Sequence, residues 1–472
     1  MSESATHAPV VVTSSLPVIV IGAGPVGLAA AAHLVERGLE PLVLEAGDRV
    51  GDAVRRWGHT RVFSPWRYNI DEAAARLLEE TDWAVPEREE LPTGTELVEK
   101  YLEPLAATKT LAARVQTGVR VVAISRSGMD KTRTTGRSEA PFIVRIQRAD
   151  GARGDLQASV VIDASGTWGA PNPLGQAGLE APGEGDARAA GRITEPLPDV
   201  LGRERDRFAR RHVLVVGAGH SAANTLLDLG DLARAEPGTR ISWAVRSADV
   251  AKLYGGEDRD ELAARGALGS RLRRLVDSGV VEVHTSFTIA GFAVADHGLT
   301  VQAATPNGDG DVTVDVLIPA TGFRPDLSAL SELRLELDPA VEAPLQLGPM
   351  IDPEFHSCGS VAPHGERLLA HPEPGFYIVG MKSYGRAPTF LMATGYEQVR
   401  SIAAALAGDR AAADDVQLDL PETGVCSTDL GGSCDAPAAM ADASGDSCCA
   451  TQPQPVTIGA APTGSAQEPA CC

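Results

Sequence analysis

Two glycine clusters 195 residues apart, each placed between a strand-like and a helix-like stretch, constrain this chain more than any other feature of its 472 residues. The first reads Val20-Ile21-Gly22-Ala23-Gly24-Pro25-Val26-Gly27 and the second Val216-Gly217-Ala218-Gly219-His220-Ser221-Ala222. In such a motif the first glycine permits a tight turn, the second lets backbone approach a pyrophosphate, and the third position lets helix and strand pack closely. The strand Pro17–Ile21, a helix from Pro25 to about Arg37 and the strand Pro41–Glu45 frame the first cluster. The strand His212–Val216, a helix from about His220 to Ala233 and the strand Ile241–Val245 frame the second. Strands alternating with helices predict parallel sheets, and so an α/β chain with two Rossmann-like domains. A lone glycine motif among 49 glycines would mean little. The composite of strand, glycines, helix and second strand carries the reading.

The first unit offers Gly22, Gly24, Pro25 and Gly27 at a helix N-terminus, where unpaired N–H groups and a partial positive charge suit a phosphate. Glu45 closes the next strand, where a carboxylate accepts hydrogen bonds from a ribose. The second unit offers Gly217, Gly219, His220 and Ser221, with Ser221 able to cap the helix or meet the pyrophosphate. Its second strand ends in Val245-Arg246-Ser247 with no carboxylate, so Arg246 stands where a 2′-phosphate would be read, which favours NADPH. The alternative for Arg246 is a solvated arginine at a strand end.

A net charge of −21 disfavours nucleic acid or an anionic membrane surface as partners. No apolar run approaches the ~20 residues of a membrane span. Met1-Ser-Glu-Ser-Ala-Thr-His has no basic region followed by a hydrophobic block, and a cytoplasmic protein is expected. Only Cys358 precedes residue 420, and a small buried hydrophobe is its default role. His356, His364 and His371 lack regular ligand spacing. The other cysteines are Cys426, Cys434, Cys448, Cys449, Cys471 and Cys472, in a segment of Ala, Gly, Ser, Thr, Pro and Asp without hydrophobic periodicity. That composition predicts a disordered tail over 409–472. Its paired thiols make candidate ligands for a soft metal or metalloid such as arsenite, against the alternative of an inert tail.

The order of the two motifs resembles the two-dinucleotide-binding-domain flavoproteins, in which FAD binds first and a nested domain binds NADPH. Val161-Ile-Asp-Ala-Ser-Gly166-Thr-Trp168 resembles the strand leaving the FAD domain. Pro319-Ala-Thr-Gly-Phe-Arg-Pro325 resembles the strand returning to it, and Gly375–Gly380 with Met381 the last FAD-domain strand. Residues 1–16 are polar and expected to be disordered, and the resemblance implies an FAD domain over 17–205 and 316–408 and an NADPH domain over 206–315. It adds Gly166, Gly380 and Met381 to the FAD contacts.

Disulfide reductases of that superfamily carry a redox-active cysteine pair in the folded body, and this chain has none before its tail. Val50-Gly-Asp-Ala-Val-Arg-Arg-Trp57 resembles the G-G-x-W region of flavin-dependent monooxygenases, with Asp52 replacing a glycine. The F-x-G-x-x-x-H segment of the best-known members is absent. Residues 57–70 and 381–394 look most like flavoproteins of actinobacterial arsenic-resistance operons. Four of the 20 aromatic residues fall within 57–68. Trp57, Arg61, Ser64, Trp66 and Asn69 are thus candidate flavin or substrate wall, against the alternative of a buried hydrophobic cluster. The expected activity is an NADPH-dependent flavin monooxygenase or oxidase, using molecular oxygen on a small substrate with a soft sulfur or arsenic atom. A metalloid or disulfide reductase using the tail cysteines, and a soft-metal-binding protein, are the alternatives.

Overall fold

The computed structural model describes residues 11–12, 15–255, 263–306, 308–354, 361–388 and 390–418. Cys358, His356 and all six tail cysteines lie outside these residues.

Strands β1 (Val18–Ile21), β2 (Pro41–Leu44) and β3 (Val115–Gln116) run parallel. A three-stranded antiparallel meander follows, β4 (Val119–Arg126), β5 (Phe142–Arg148) and β6 (Arg153–Ala158). β7 (Val160–Asp163) then returns beside β1. A second parallel sheet holds β8 (His212–Val216), β9 (Arg240–Ala244) and β10 (Val281–His284). β11 (Thr288–Ala295), β12 (Gly298–Thr305), β13 (Gly308–Asp309) and β14 (Val312–Val314) form a small antiparallel sheet. β15 (Val316–Pro319) pairs with β8, and β16 (Phe376–Ile378) completes the first sheet in the order β16-β7-β1-β2-β3.

β1 shows why the first sheet reads as a continuous apolar run. Val18 and Val20 face one core with the helix Pro25–Glu36, while Ile19 and Ile21 face another beneath the meander. A parallel sheet covered on both faces leaves no polar side to alternate with. The helix is buried from Val26 to Leu34, and its small alanines let the helix Met392–Leu406 pack against it.

The structure draws three boundaries differently from the sequence reading. Val316–Pro319, expected at the start of the FAD-domain segment 316–408, belongs to the second sheet, because Leu317 pairs with Leu214 of β8. Leu174, Ala181, Ala187 and Ile193 also join the core of the second domain, so that domain starts near 172 and ends near 321 rather than spanning 206–315. The exchange occurs at two antiparallel linkers. Asn172 N donates to Gly322 O at 2.9 Å, Arg324 N donates to Ala170 O at 3.0 Å, and Trp168 stacks on Phe323 at 4.9 Å. The expected tail loses its first residues to the fold. Arg410–Asp414 is a helix, Arg410 pairs with Glu366 at 2.6 Å, and Ser401 Oγ donates to Ala413 O at 2.7 Å. Within 1–16, Val12 N donates to Leu406 O at 3.0 Å.

One buried cluster ties the meander to β16. Glu373 is 1% exposed and receives Arg126 at 2.7 Å, Arg137 at 2.7 Å and the backbone N–H of Arg334 at 3.1 Å. Burial alone would raise its pKa, but the hydrogen bonds from Arg137 and Arg126 outweigh it and hold the carboxyl below its ordinary value. A depressed folded pKa means this stabilisation is full above the unfolded value, about 4.3, and lost as pH falls through the folded one. Glu373→Ala leaves two buried guanidinium groups without a counter-charge. It should cost about 3–5 kcal/mol in urea denaturation at neutral pH, with the gap to wild type narrowing in acid. An unchanged denaturation midpoint would contradict this role.

Candidate functional site

The first fingerprint separates glycines that shape the fold from the one that faces a ligand. Gly22 has φ of +99°, and a Cβ there would meet Ala164 O at 2.8 Å. A Cβ on Gly27 would stand 1.9 Å from Gly22 O, so helix and strand touch through bare backbone. At Gly24 a Cβ would meet nothing within 4 Å. Gly24 is also the N-cap of the helix, without a side-chain cap, and Pro25 opens the first turn. The open space and the uncapped N–H groups together fit a pyrophosphate. Glu45 leaves β2 beside this turn, accepting from Ala23 N at 2.7 Å and Gly47 N at 2.8 Å. Each carboxylate oxygen keeps lone-pair capacity for a ribose hydroxyl. Gly166 is open and has φ of +69°.

The second fingerprint repeats the design with a different lock. Gly217 has φ of +135°, its Cβ position lies 2.1 Å from Ala320 O, and its carbonyl accepts Trp243 Nε1 at 2.7 Å. Gly219 is open and caps the helix His220–Ala235. Ser221 therefore lies inside the helix, and its hydroxyl is not the cap. Arg246 is exposed just beyond β9. Ser286 N donates to Ser247 O and Phe287 N to Val245 O, so the backbone on either side of Arg246 is held by the segment after β10.

The aromatic segment after the first unit divides between core and cleft. Trp66 is 1% exposed in the core around the first helix, so it is a packing residue and not part of a ligand wall. Ser64 and Asn69 are also buried, and Ser64 Oγ donates to Asn69 Oδ1 at 2.8 Å while Asn69 Nδ2 donates to Ser64 O at 2.7 Å. Those groups lock a turn. Arg61 is exposed, donating to Leu91 O, and Trp57 is half-buried against Gly94. Phe63 is the residue that reaches across: its ring lies 5.1 Å from that of His220 at the start of the second helix. His59 hydrogen-bonds the backbone of Pro198, and burial lowers its pKa more than Asp199 and Glu204 raise it. The segment thus joins the two domains at the second fingerprint.

Behind the first fingerprint lies a polar network that the sequence reading missed. Gly380 N donates to Gln398 Oε1 at 2.8 Å, and Gln398 Nε2 contacts Ser383 Oγ and His364 Nε2, each at 2.9 Å. Burial lowers the His364 pKa, keeping the ring neutral. The network fixes the turn carrying Gly380 and the half-buried Met381. Among the described residues no group of histidine, cysteine and carboxylate side chains has metal-holding geometry.

Residues 19–346 match the family model described as pyridine nucleotide-disulphide oxidoreductase. The chain belongs to this family. It is an FAD-dependent oxidoreductase that uses a pyridine nucleotide. No curated protein matches the chain. Among solved structures it is similar to the bacillithiol disulfide reductase of Bacillus cereus, at 19% identity and TM-score 0.61 over 83% of this chain and 99% of that one. It is also similar to the FAD-bound cadaverine monooxygenase of Erwinia amylovora, at 12% identity and TM-score 0.58 over 88% and 100%. The ornithine hydroxylase of Pseudomonas aeruginosa follows at 16% identity and TM-score 0.54 over 84% and 98%. One fold thus serves reductases and oxygenases, and the cofactors alone do not choose between them. No described residue is a cysteine, so no thiol pair stands at either fingerprint among the described residues.

The glycines provide a test that separates binding from folding. Gly24→Val should leave thermal stability near wild type and abolish FAD retention, because the side chain fills open ligand space. Gly27→Val should unfold the domain, because the side chain collides with backbone. Loss of fold in both, or FAD retained by Gly24→Val, would contradict the assignment of Gly24.

Proposed function

We propose that this family member is an NADPH-dependent flavin monooxygenase or oxidase, with FAD on the 22–27 turn and NADPH on the 217–222 turn. The observation that supports the reading is the contact of Phe63 with His220, which brings the segment after the first fingerprint against the second one. Bound FAD supplies hydride acceptance and oxygen chemistry there. The chain's own residues bind and orient. The helix N-termini at Gly24 and Gly219 receive the two pyrophosphates, Glu45 the ribose of FAD, and Arg246 the 2′-phosphate of NADPH. Phe63 and the half-buried Trp57 keep water from the space between the cofactors.

A body whose one cysteine, Cys358, precedes a cysteine-rich tail favours oxygen over a disulfide as electron acceptor. The six cysteines within the last 47 residues favour a soft sulfur or trivalent arsenic atom as the oxygenated centre, with the tail holding the thiophilic ion. A role in arsenic resistance follows from that same resemblance of residues 57–70 and 381–394. The tail also supports a second reading, a metalloid or disulfide reductase in which its thiols relay electrons from the flavin.

NADPH consumption with and without oxygen separates the two readings, using the full chain and one ending at Leu418. The end point keeps the Arg410–Asp414 helix, whose removal would break the Glu366 and Ser401 contacts. Both proteins should consume NADPH only in the presence of oxygen, at rates within about twofold. Turnover that needs a disulfide or arsenite rather than oxygen, and that vanishes on truncation, would establish the relay instead.

A further inference from the structure

A buried ion pair sits at the C-terminal edge of the first sheet. Asp163, the last residue of β7, is 2% exposed, and Lys382, four residues beyond β16, is 5% exposed. Lys382 Nζ donates to Asp163 Oδ2 at 2.7 Å and to Ser165 Oγ at 3.1 Å. Ser165 in turn donates to Asp163 Oδ1 through its hydroxyl at 2.6 Å and its backbone N–H at 3.1 Å. A buried pair of charges is a poor way to gain stability, since apolar residues of similar volume often do as well or better. Its position suggests another use.

Two observations tie the pair to the cofactor. Ligands of doubly wound sheets lie off the C-terminal ends of the strands, where both residues stand. Ala164 O and Ser165 Cα lie 2.8 and 3.2 Å from the point where a Cβ on Gly22 would be, so the pair is one residue behind the fingerprint turn. An ammonium carries three donor hydrogens, and the two contacts above use two of them.

We propose that Lys382 and Asp163 are positioning residues that set the reduction potential of the flavin. The proposal rests on FAD occupying the first fingerprint. A hydride delivers two electrons and one proton, so the reduced ring carries one more negative charge than the oxidised ring. In a low-dielectric site that charge feels fixed neighbours strongly. The ammonium of Lys382 favours reduction, the carboxylate of Asp163 opposes it, and their pairing holds the field at an intermediate value.

The test is the potential of bound FAD, measured anaerobically against reference dyes in the full chain, without NADPH or substrate. Lys382→Met removes the cation and exposes the carboxylate, so the ratio of reduced to oxidised flavin should fall at least tenfold at fixed potential, a shift of about −30 mV. Asp163→Asn frees the cation and should shift the potential upward by a similar amount, with the double variant between them. A merely structural clamp would move both single variants in the same direction. Shifts of the same sign, or none while FAD stays bound, would overturn the proposal. Lys382→Arg and Asp163→Glu preserve the charges and should keep both flavin and potential. Loss of flavin in these two would equally show a clamp and overturn it. A folded wild type that takes up no FAD would instead refute the assignment of the first fingerprint, a distinguishable failure.

Discussion

The structure depends on a contact that has no side chain in it. The helix from Pro25 meets β1 so closely that a single carbon on Gly27 would collide with the carbonyl of Gly22. This approach leaves the helix N-terminus at Gly24 without a side-chain cap. The second unit reaches the same geometry with Ala222 in the third position, and takes its close contact from elsewhere, at Ala320 O against Gly217. Both fingerprints therefore rest on the strand that feeds the interdomain linkers. Gly22 lies against Ala164 at the end of β7, and Gly217 against Ala320 at the end of β15. The two fingerprint turns and the interdomain linkers are built from neighbouring residues. A change at Trp168, Asn172 or Phe323 is thus placed to be felt at both fingerprint turns.

Much of this was legible in the sequence because it is local. A strand, two or three glycines and a helix are fixed within about 25 residues by sterics and hydrogen bonding, and both units occur where their pattern lies. Domain limits were less legible because they depend on long-range pairing. Nothing in Val316-Leu-Ile-Pro319 says whether its neighbour will be β8 or β7, and Ile193 bridges to Leu317 across 124 residues of sequence. The aromatic segment misled in part for the same reason. Trp66 and Phe63 lie three residues apart, one inside the core and the other against His220, and composition does not distinguish them. The helix Arg410–Asp414 escaped notice because ion pairs to Glu366 and Arg367, rather than apolar periodicity, hold it in place.

The family name and the cysteine distribution pull in different directions. The family is named for disulphides, while the described body contains no thiol and the chain keeps six of its seven cysteines in the tail. A scaffold shared with both disulfide reductases and oxygenases accommodates either outcome, since the flavin does the electron chemistry and the protein decides what reaches it. In this chain Phe63 meets His220 at the second fingerprint, Glu45 stands beside the first fingerprint turn, and Arg246 is exposed beyond β9. On the proposed reading they bind nucleotides and exclude water, and none of the four side chains is a thiol.

The central claim is that the two fingerprints pass a hydride from NADPH to FAD. Anaerobic mixing of the FAD-loaded protein with stoichiometric NADPH or NADH, followed by the visible absorbance of the flavin, tests it most directly. The account predicts bleaching with NADPH, slower bleaching with NADH, and a preference reduced roughly tenfold or more in Arg246→Ala, since a charge-assisted contact is worth about 1.5–3 kcal/mol. Protein that retains FAD but is bleached by neither nucleotide would contradict it.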